Sequence, residues 1–308
     1  DDLWDAYEKQ GLVTANAKGL LFGNDEQWKN QSDKLMSKEP EKALALSAAL
    51  VLHSDKFATR QQQHKTIVEI IERRKNGLEL INQLYLHSNK VADVNVLPDE
   101  VRYRLVDYAL SEGSYFEAAK IMKSLEEPPR GKTHFDWRMR KARVLILQGE
   151  YKQSEDLIRN TFKEKRSITR AELDRFIQVV FDFQTVQQHQ KAIRLFDLVS
   201  LKNLDENLKR EIYFWKAESY FSLEKYGRAA LFYLESARAV AEAENDLWGQ
   251  SARFKAGKAL MLAHIYEDAK KVFTDLLVIT ASDSRKAIIH QNLQKIRLLS
   301  SAVNNKQV

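Results

Sequence analysis

Two stretches decide the fold: REIYFWKAESYFSLEKYGRAALFYLESARAVAEA at 210–243 and QSARFKAGKALMLAHIYEDAKKVFTDLLVITASD at 250–283. They carry one pattern twice. Ala217, Tyr220, Tyr226, Ala229 and Tyr233 in the first match Gly257, Leu260, Tyr266, Ala269 and Phe273 in the second. In each, a small residue precedes another by twelve positions, and an aromatic stands three before the second. That spacing predicts two short helices packed antiparallel. Small side chains mark where the backbones approach, and bulky ones fill the space to either side.

The same spacing extends backwards. Val106 precedes Ala118 by twelve, Ala142 precedes Ser154, and Val180 precedes Ala192. Tyr115, Tyr151 and His189 stand three before the second residue of each pair. The second small residues of the five units are thus 118, 154, 192, 229 and 269, separated by 36, 38, 37 and 40.

These residues resemble the tetratricopeptide repeat, a helix–turn–helix unit of about 34 residues. The chain departs from it in places. Ala217 stands for the usual Gly, Lys216 for the usual Leu, and neither quoted copy ends in Pro. The resemblance implies an all-α, right-handed α-solenoid of about six to seven repeats.

Composition agrees with helix nearly throughout. Only 10 Gly and 4 Pro interrupt 308 residues, and no strand–turn–strand alternation is visible. The expected organisation is an irregular N-terminal part with degenerate repeats at 1–97, a superhelix at 98–283, and a capping helix with tail at 284–308. In the N-terminal part, Leu3, Trp4, Tyr7 and Leu12 predict a short helix, which Gly11, Gly19 and Gly23 then interrupt. Trp28, Leu35 and Met36 predict another, and Pro40 opens the next. Ala43–Leu52 is apolar almost all round and is expected to be buried, with Ala43 at the second small position of a degenerate repeat. Two more helices are expected within 57–88, with Gly77 at their turn. Lys90–Leu97 reads as a loop, and Pro98 opens a helix. Glu126–Gly131 holds two prolines and a glycine and must break the helical run. From Ser284 to Val303, Ile289, Leu293 and Ile296 form an apolar side suited to a terminal cap. Asn304–Val308 is expected to fray.

Cysteine is absent, which excludes disulfides, thiol nucleophiles and cysteine metal sites. No apolar run reaches the length of a membrane span. The seven histidines form no His-Glu-x-x-His or comparable ligand set, and no Gly-rich phosphate loop or Gly-x-Ser-x-Gly elbow occurs. Glu126-Glu127 and Glu242/Glu244 read as solvated charge rather than an acid–base pair. No catalytic residue, metal or cofactor is therefore expected. A net charge of +6 is mild at this length. Arg138, Arg140 and Arg143 scatter around a helix axis, and Lys163–Arg166 suits a helix C-terminus, so no nucleic-acid track is expected.

The resemblance points to the groove face of each first helix, three before and one after its small residue. Those positions are Tyr103 and Asp107, Met139 and Arg143, Ile177 and Phe181, Phe214 and Glu218, Phe254 and Lys258. Apolar anchors with isolated charges of both signs suit a protein or peptide partner. The competing reading packs Phe181, Phe214 and Phe254 between adjacent helices. The family's chaperone-tail binders clamp a terminal carboxylate with Lys and Asn, and the residues here do not match that set.

The expected function is a non-catalytic scaffold or adaptor that binds a polypeptide in a concave groove. An acidic start without Met, together with the lack of Cys, points to a bacterial envelope or periplasmic setting, with the cytoplasm as the alternative. A second reading makes the chain a ligand- or peptide-sensing helical domain of a larger bacterial regulator. A third, enzymatic reading requires a Glu or His in a deep pocket with a shifted pKa.

Overall fold

The computed structural model describes residues 2–14, 24–239 and 246–304. Gly19, Gly23, Glu242, Glu244 and the tail after Asn304 lie outside them. The described residues are helical, with no strand among them. The chain divides into two compact units, 1–150 and 151–308. This division follows compactness, whereas the segments 1–97, 98–283 and 284–308 follow sequence pattern.

Residues 1–150 hold α1 (Asp2–Thr14), α2 (Asp25–Leu35), α3 (Pro40–His53), α4 (Phe57–Ile71), α5 (Gly77–Tyr85), α6 (Asp99–Ser111), α7 (Tyr115–Lys123) and α8 (His134–Gln148). Helix α3 is the centre of the first half. Ala43 through Val51 are all buried, because α1, α2 and α4 each pack on it. Gly11 does not interrupt α1, contrary to the sequence expectation. It is the contact with α3: a Cβ there would stand 2.3 Å from the Ala45 carbonyl oxygen and 3.2 Å from the Ala49 Cβ. A glycine within a helix marks either a break or a close approach, and here it is the second.

Polar groups in this core are tied in chains. The Ser32 and Ser47 hydroxyls lie 3.0 Å apart, and Ser47 donates to Gln63 Oε1 at 2.8 Å, linking α2, α3 and α4. The Trp4 indole donates to the Leu84 carbonyl at 2.6 Å. His64 Nδ1 lies 3.0 Å from the Tyr85 hydroxyl, both side chains buried. Between α7 and α8 the expected break at Glu126–Gly131 is present, and the backbone at Leu125 and Glu127 takes up side-chain donors. Tyr103 donates to the Glu127 carbonyl at 2.6 Å and the Trp137 indole to that of Leu125 at 3.2 Å.

Residues 151–308 hold α9 (Tyr151–Lys163), α10 (Arg170–Thr185), α11 (His189–Phe196), α12 (Glu206–Ser222), α13 (Tyr226–Arg238), α14 (Leu247–Leu262), α15 (Tyr266–Ile279) and α16 (Asp283–Asn304). From α10 onward each helix packs on the next, so hairpins α10/α11, α12/α13 and α14/α15 stack in sequence order under α16. These are tetratricopeptide-like hairpins stacked as in an α-solenoid. Ala217, Ala229, Ala256 and Ala269 are fully buried in one core, where Ile289 and Ile296 of α16 cover the last hairpin. At Gly257 a Cβ would lie 2.7 Å from the Phe273 ring, so α14 and α15 meet there with no room for a methyl group. First helices start on capping side chains: Thr169 with Glu172 forms a capping box, and Asp205 accepts from the Leu208 amide at 2.9 Å.

One turn recurs through both units. Gly113, Gly149, Gln187, Glu224 and His264 all have positive φ, at 70°, 92°, 61°, 58° and 61°. Each stands five positions before the second small residue of its sequence unit. The following amide donates to the carbonyl five residues back: Ser114 to Ala109, Glu150 to Leu145, Gln188 to Phe183, Lys225 to Tyr220 and Ile265 to Leu260, at 2.8–2.9 Å. The left-handed residue also donates three back, as Glu224 does to Phe221 at 2.9 Å. This double bond pattern satisfies carbonyls that the ending helix leaves open.

The left-handed region costs a residue with a Cβ about 1–2 kcal/mol. Glu224→Gly should therefore hold or raise stability, by up to about 1 kcal/mol, while Gly149→Ala should lower it by about 1 kcal/mol. Urea midpoints of both variants check this; the opposite ordering would refute the turn assignment. His64 gives a second expectation. Burial, with repulsion from Arg60, lowers its pKa from 6.5 to about 4. The unfolded chain thus binds the proton more readily between those values, so stability is full above pH 6.5 and falls as pH drops through the window. At pH 5 the loss should be about 2 kcal/mol relative to pH 7, and His64→Gln should remove that part of the slope in urea titrations.

Candidate functional site

The ten predicted groove positions divide between the units, four in the first and six in the second. In residues 1–150, Tyr103 and Asp107 line one cleft of about 740 Å³ beside the Glu127–Pro129 loop. Tyr103 is largely buried; its ring meets the Trp137 ring edge-on at 5.3 Å. Burial is the main cause that raises its phenol pKa. Asp107 accepts from Arg140 at 2.5 Å and from Arg104 at 3.2 Å. Across the same cleft Lys65 pairs with Glu100 at 2.9 Å. The charges of this cleft are therefore largely matched to one another. Met139 is packed in the interior at 2% exposure, Arg143 is exposed, and neither lines the cleft.

In residues 151–308, Ile177 is likewise interior, at 3% exposure. The other five positions share a face formed by the first helices α10, α12 and α14. Phe181 on α10 meets Trp215 on α12 at 4.8 Å, ring to ring. Phe214 touches Trp215 at 5.5 Å, Tyr233 at 5.5 Å and Trp248 of α14 at 5.0 Å. Phe254 sets its edge against Phe273 at 5.6 Å. Phe181, Phe214 and Phe254 are all half-buried. Each has one edge in the helix packing and another at the surface.

The charged positions organise this row. Glu218 accepts from the Tyr233 hydroxyl at 2.5 Å and from Lys255 Nζ at 2.5 Å. Lys255 Nζ also stands 5.3 Å from the centre of the Phe214 ring, a cation over an aromatic face. Burial and the neighbouring Glu218 both push the Tyr233 phenol far above its usual range. Lys258 is exposed. Next to Phe254 and Lys255 opens a cleft of about 300 Å³ between α14 and α16, walled by Leu276, Ile288 and Ile289 with Arg285 at its side.

Sequence reasoning missed Trp215, Trp248, Lys255, Arg285 and Ile288. The signal was present for two of them. Trp215 stands three before Glu218 and Lys255 three before Lys258, so each shares a helix face with a predicted groove position.

Among the described residues no group of three or more His, Asp or Glu side chains is placed to hold a metal ion. His189 is mostly buried, which lowers its pKa, and lies 3.2 Å from Gln187. His264 lies 2.8 Å from the Tyr266 hydroxyl. No helix among the described residues is long and apolar enough to cross a membrane.

A double-mutant cycle tests the polar tie. Glu218→Ala leaves a buried phenol without its acceptor and Lys255 without its partner, which should cost about 1–3 kcal/mol. Combined with Tyr233→Phe, the two changes should couple by about 1 kcal/mol. Simple additivity in denaturant unfolding would show the bond to be energetically idle.

No family model and no curated protein matches this chain. Among solved structures, one described as the TPR2AB-domain:pHSP90 complex of yeast Sti1 is similar over 89% of this chain and 98% of that one. The identity is 12% and the TM-score 0.35. At that level the likeness decides neither family nor partner.

Proposed function

We propose that this chain is a non-catalytic interaction module, a scaffold or adaptor of tetratricopeptide-like hairpins. It holds a partner polypeptide along the first-helix face of residues 151–308. The observation that carries this reading is the aromatic row Phe181, Trp215, Phe214, Trp248 and Phe254. Such rings offer apolar area to a partner while their buried edges fix their positions. The polar groups on the same face are held by one another, Glu218 by Tyr233 and Lys255, which suits registration of a partner better than proton transfer.

Phe214→Ala and Phe254→Ala together should reduce partner recovery about tenfold or more in pull-downs from the native host. Far-ultraviolet circular dichroism should remain helical. A photo-reactive benzophenone residue at position 248, where Trp248 reaches solvent, gives a second readout without emptying the core. It should capture a polypeptide covalently. Full recovery by the double variant with an intact helical signal would remove this face from consideration.

A further inference from the structure

The first-helix face of residues 151–308 carries its charge unevenly. On α12 it is acidic, with Glu211 and Glu218 bracketing Phe214 and Trp215 at i, i+3, i+4 and i+7. On α14 the matching positions are Ser251, Phe254, Lys255 and Lys258, and α16 adds Arg285. Glu218 and Lys255 meet at the join, 2.5 Å apart, and offset one another. Glu211 on one side, and Lys258 and Arg285 on the other, stand outside that pair.

The two ends differ in more than sign. At the acidic end Glu211 is half-buried. Burial, with Asp174 adding to it, holds its carboxyl above the usual range against the pull of Arg170. A cation placed beside it would recover part of that cost. At the basic end the α14–α16 cleft measures about 300 Å³ and is walled mainly by Phe254, Leu276, Ile288 and Ile289. That is the small end of the range for ligand pockets, about 300–1,000 Å³, and fits one large apolar side chain better than a whole cofactor. Arg285 lines it, so a carboxylate next to that side chain meets a guanidinium rather than an acid.

Resting on the interaction reading above, the geometry points to a polarised occupant. It is a peptide segment that seats a large apolar side chain in the α14–α16 cleft, sets a carboxylate beside it at Arg285, and lays a cationic residue over Glu211. The aromatic row between the two ends supplies the contact area. The charges fix which way the segment runs.

A random peptide library displayed on phage and selected on the full 308-residue chain tests this. Enriched peptides should carry Leu or Phe next to Asp or Glu, with Lys or Arg towards the other end. In fluorescence anisotropy, Arg285→Glu combined with Lys258→Glu should weaken the best peptide about tenfold. A peptide with its acidic residues changed to Lys should recover much of that loss on the same variant. Both substituted side chains are exposed, so the fold should stand. Enrichment of apolar peptides without charge order, or unchanged affinity in the double variant, overturns the polarity and leaves the interaction face in place. No enrichment at all, or binding that survives Phe254→Ala intact, removes the face as well.

Discussion

The left-handed turn that closes each hairpin is the constraint on which the helical stack depends. It occurs five times among the described residues, always five residues before the small residue of the second helix. A reversal of fixed geometry sets where the second helix begins and how it is rotated. That rotation places Ala118, Ala192, Ala229 and Ala269 in the interior, all fully buried. A bulky residue there would separate the helices, and a longer turn would rotate another residue into the position. At Gly257 the fit is close enough that even a Cβ would meet the Phe273 ring. Such hairpins cannot bury their apolar faces alone, and within residues 170–279 each is completed by the next in line. In the last hairpin α16 supplies that cover through Ile289 and Ile296.

Much of this was legible because it is periodic. The twelve-residue interval between small positions predicts hairpins at 217–229 and 257–269, and the structure has them. The apolar run from Ala43 predicts a buried helix, and Pro40, Pro98 and the Pro128-Pro129 pair fall where helices start or stop. What escaped was information that residue type does not carry. Gly113 and Gly149 announce a positive φ, but Gln187, Glu224 and His264 adopt the same one. Nothing in a glutamate predicts a left-handed turn except its place in the repeat. Gly11 reads as a break in the sequence because its packing partner, Ala45, lies in a different helix.

The candidate face was legible only in part, for a related reason. Two fixed offsets from a small residue assume that every first helix presents the same stripe. On α12 and α14 they find Phe214, Glu218 and Phe254, which do reach the surface. On α8 and α10 they find Met139 and Ile177, which are interior. A helical face is wider than two positions. Trp215 and Lys255, one residue from those offsets, belong to the same surface as Phe214 and Phe254.

A surface built this way has a consequence for binding. Its aromatic rings are already fixed, Phe214 against Trp215, Tyr233 and Trp248, and Phe254 against Phe273. Its central charges are fixed as well, through Glu218, Tyr233 and Lys255. A partner laid on it need not order those side chains, so the entropic cost falls mainly on the partner. The helical framework thus does for the face what a ligand would otherwise have to do. The same buried edges that stabilise the hairpins hold the exposed edges in register. On the proposed reading, stability and recognition on this face are coupled through single side chains, and Phe214 is the one that would belong to both.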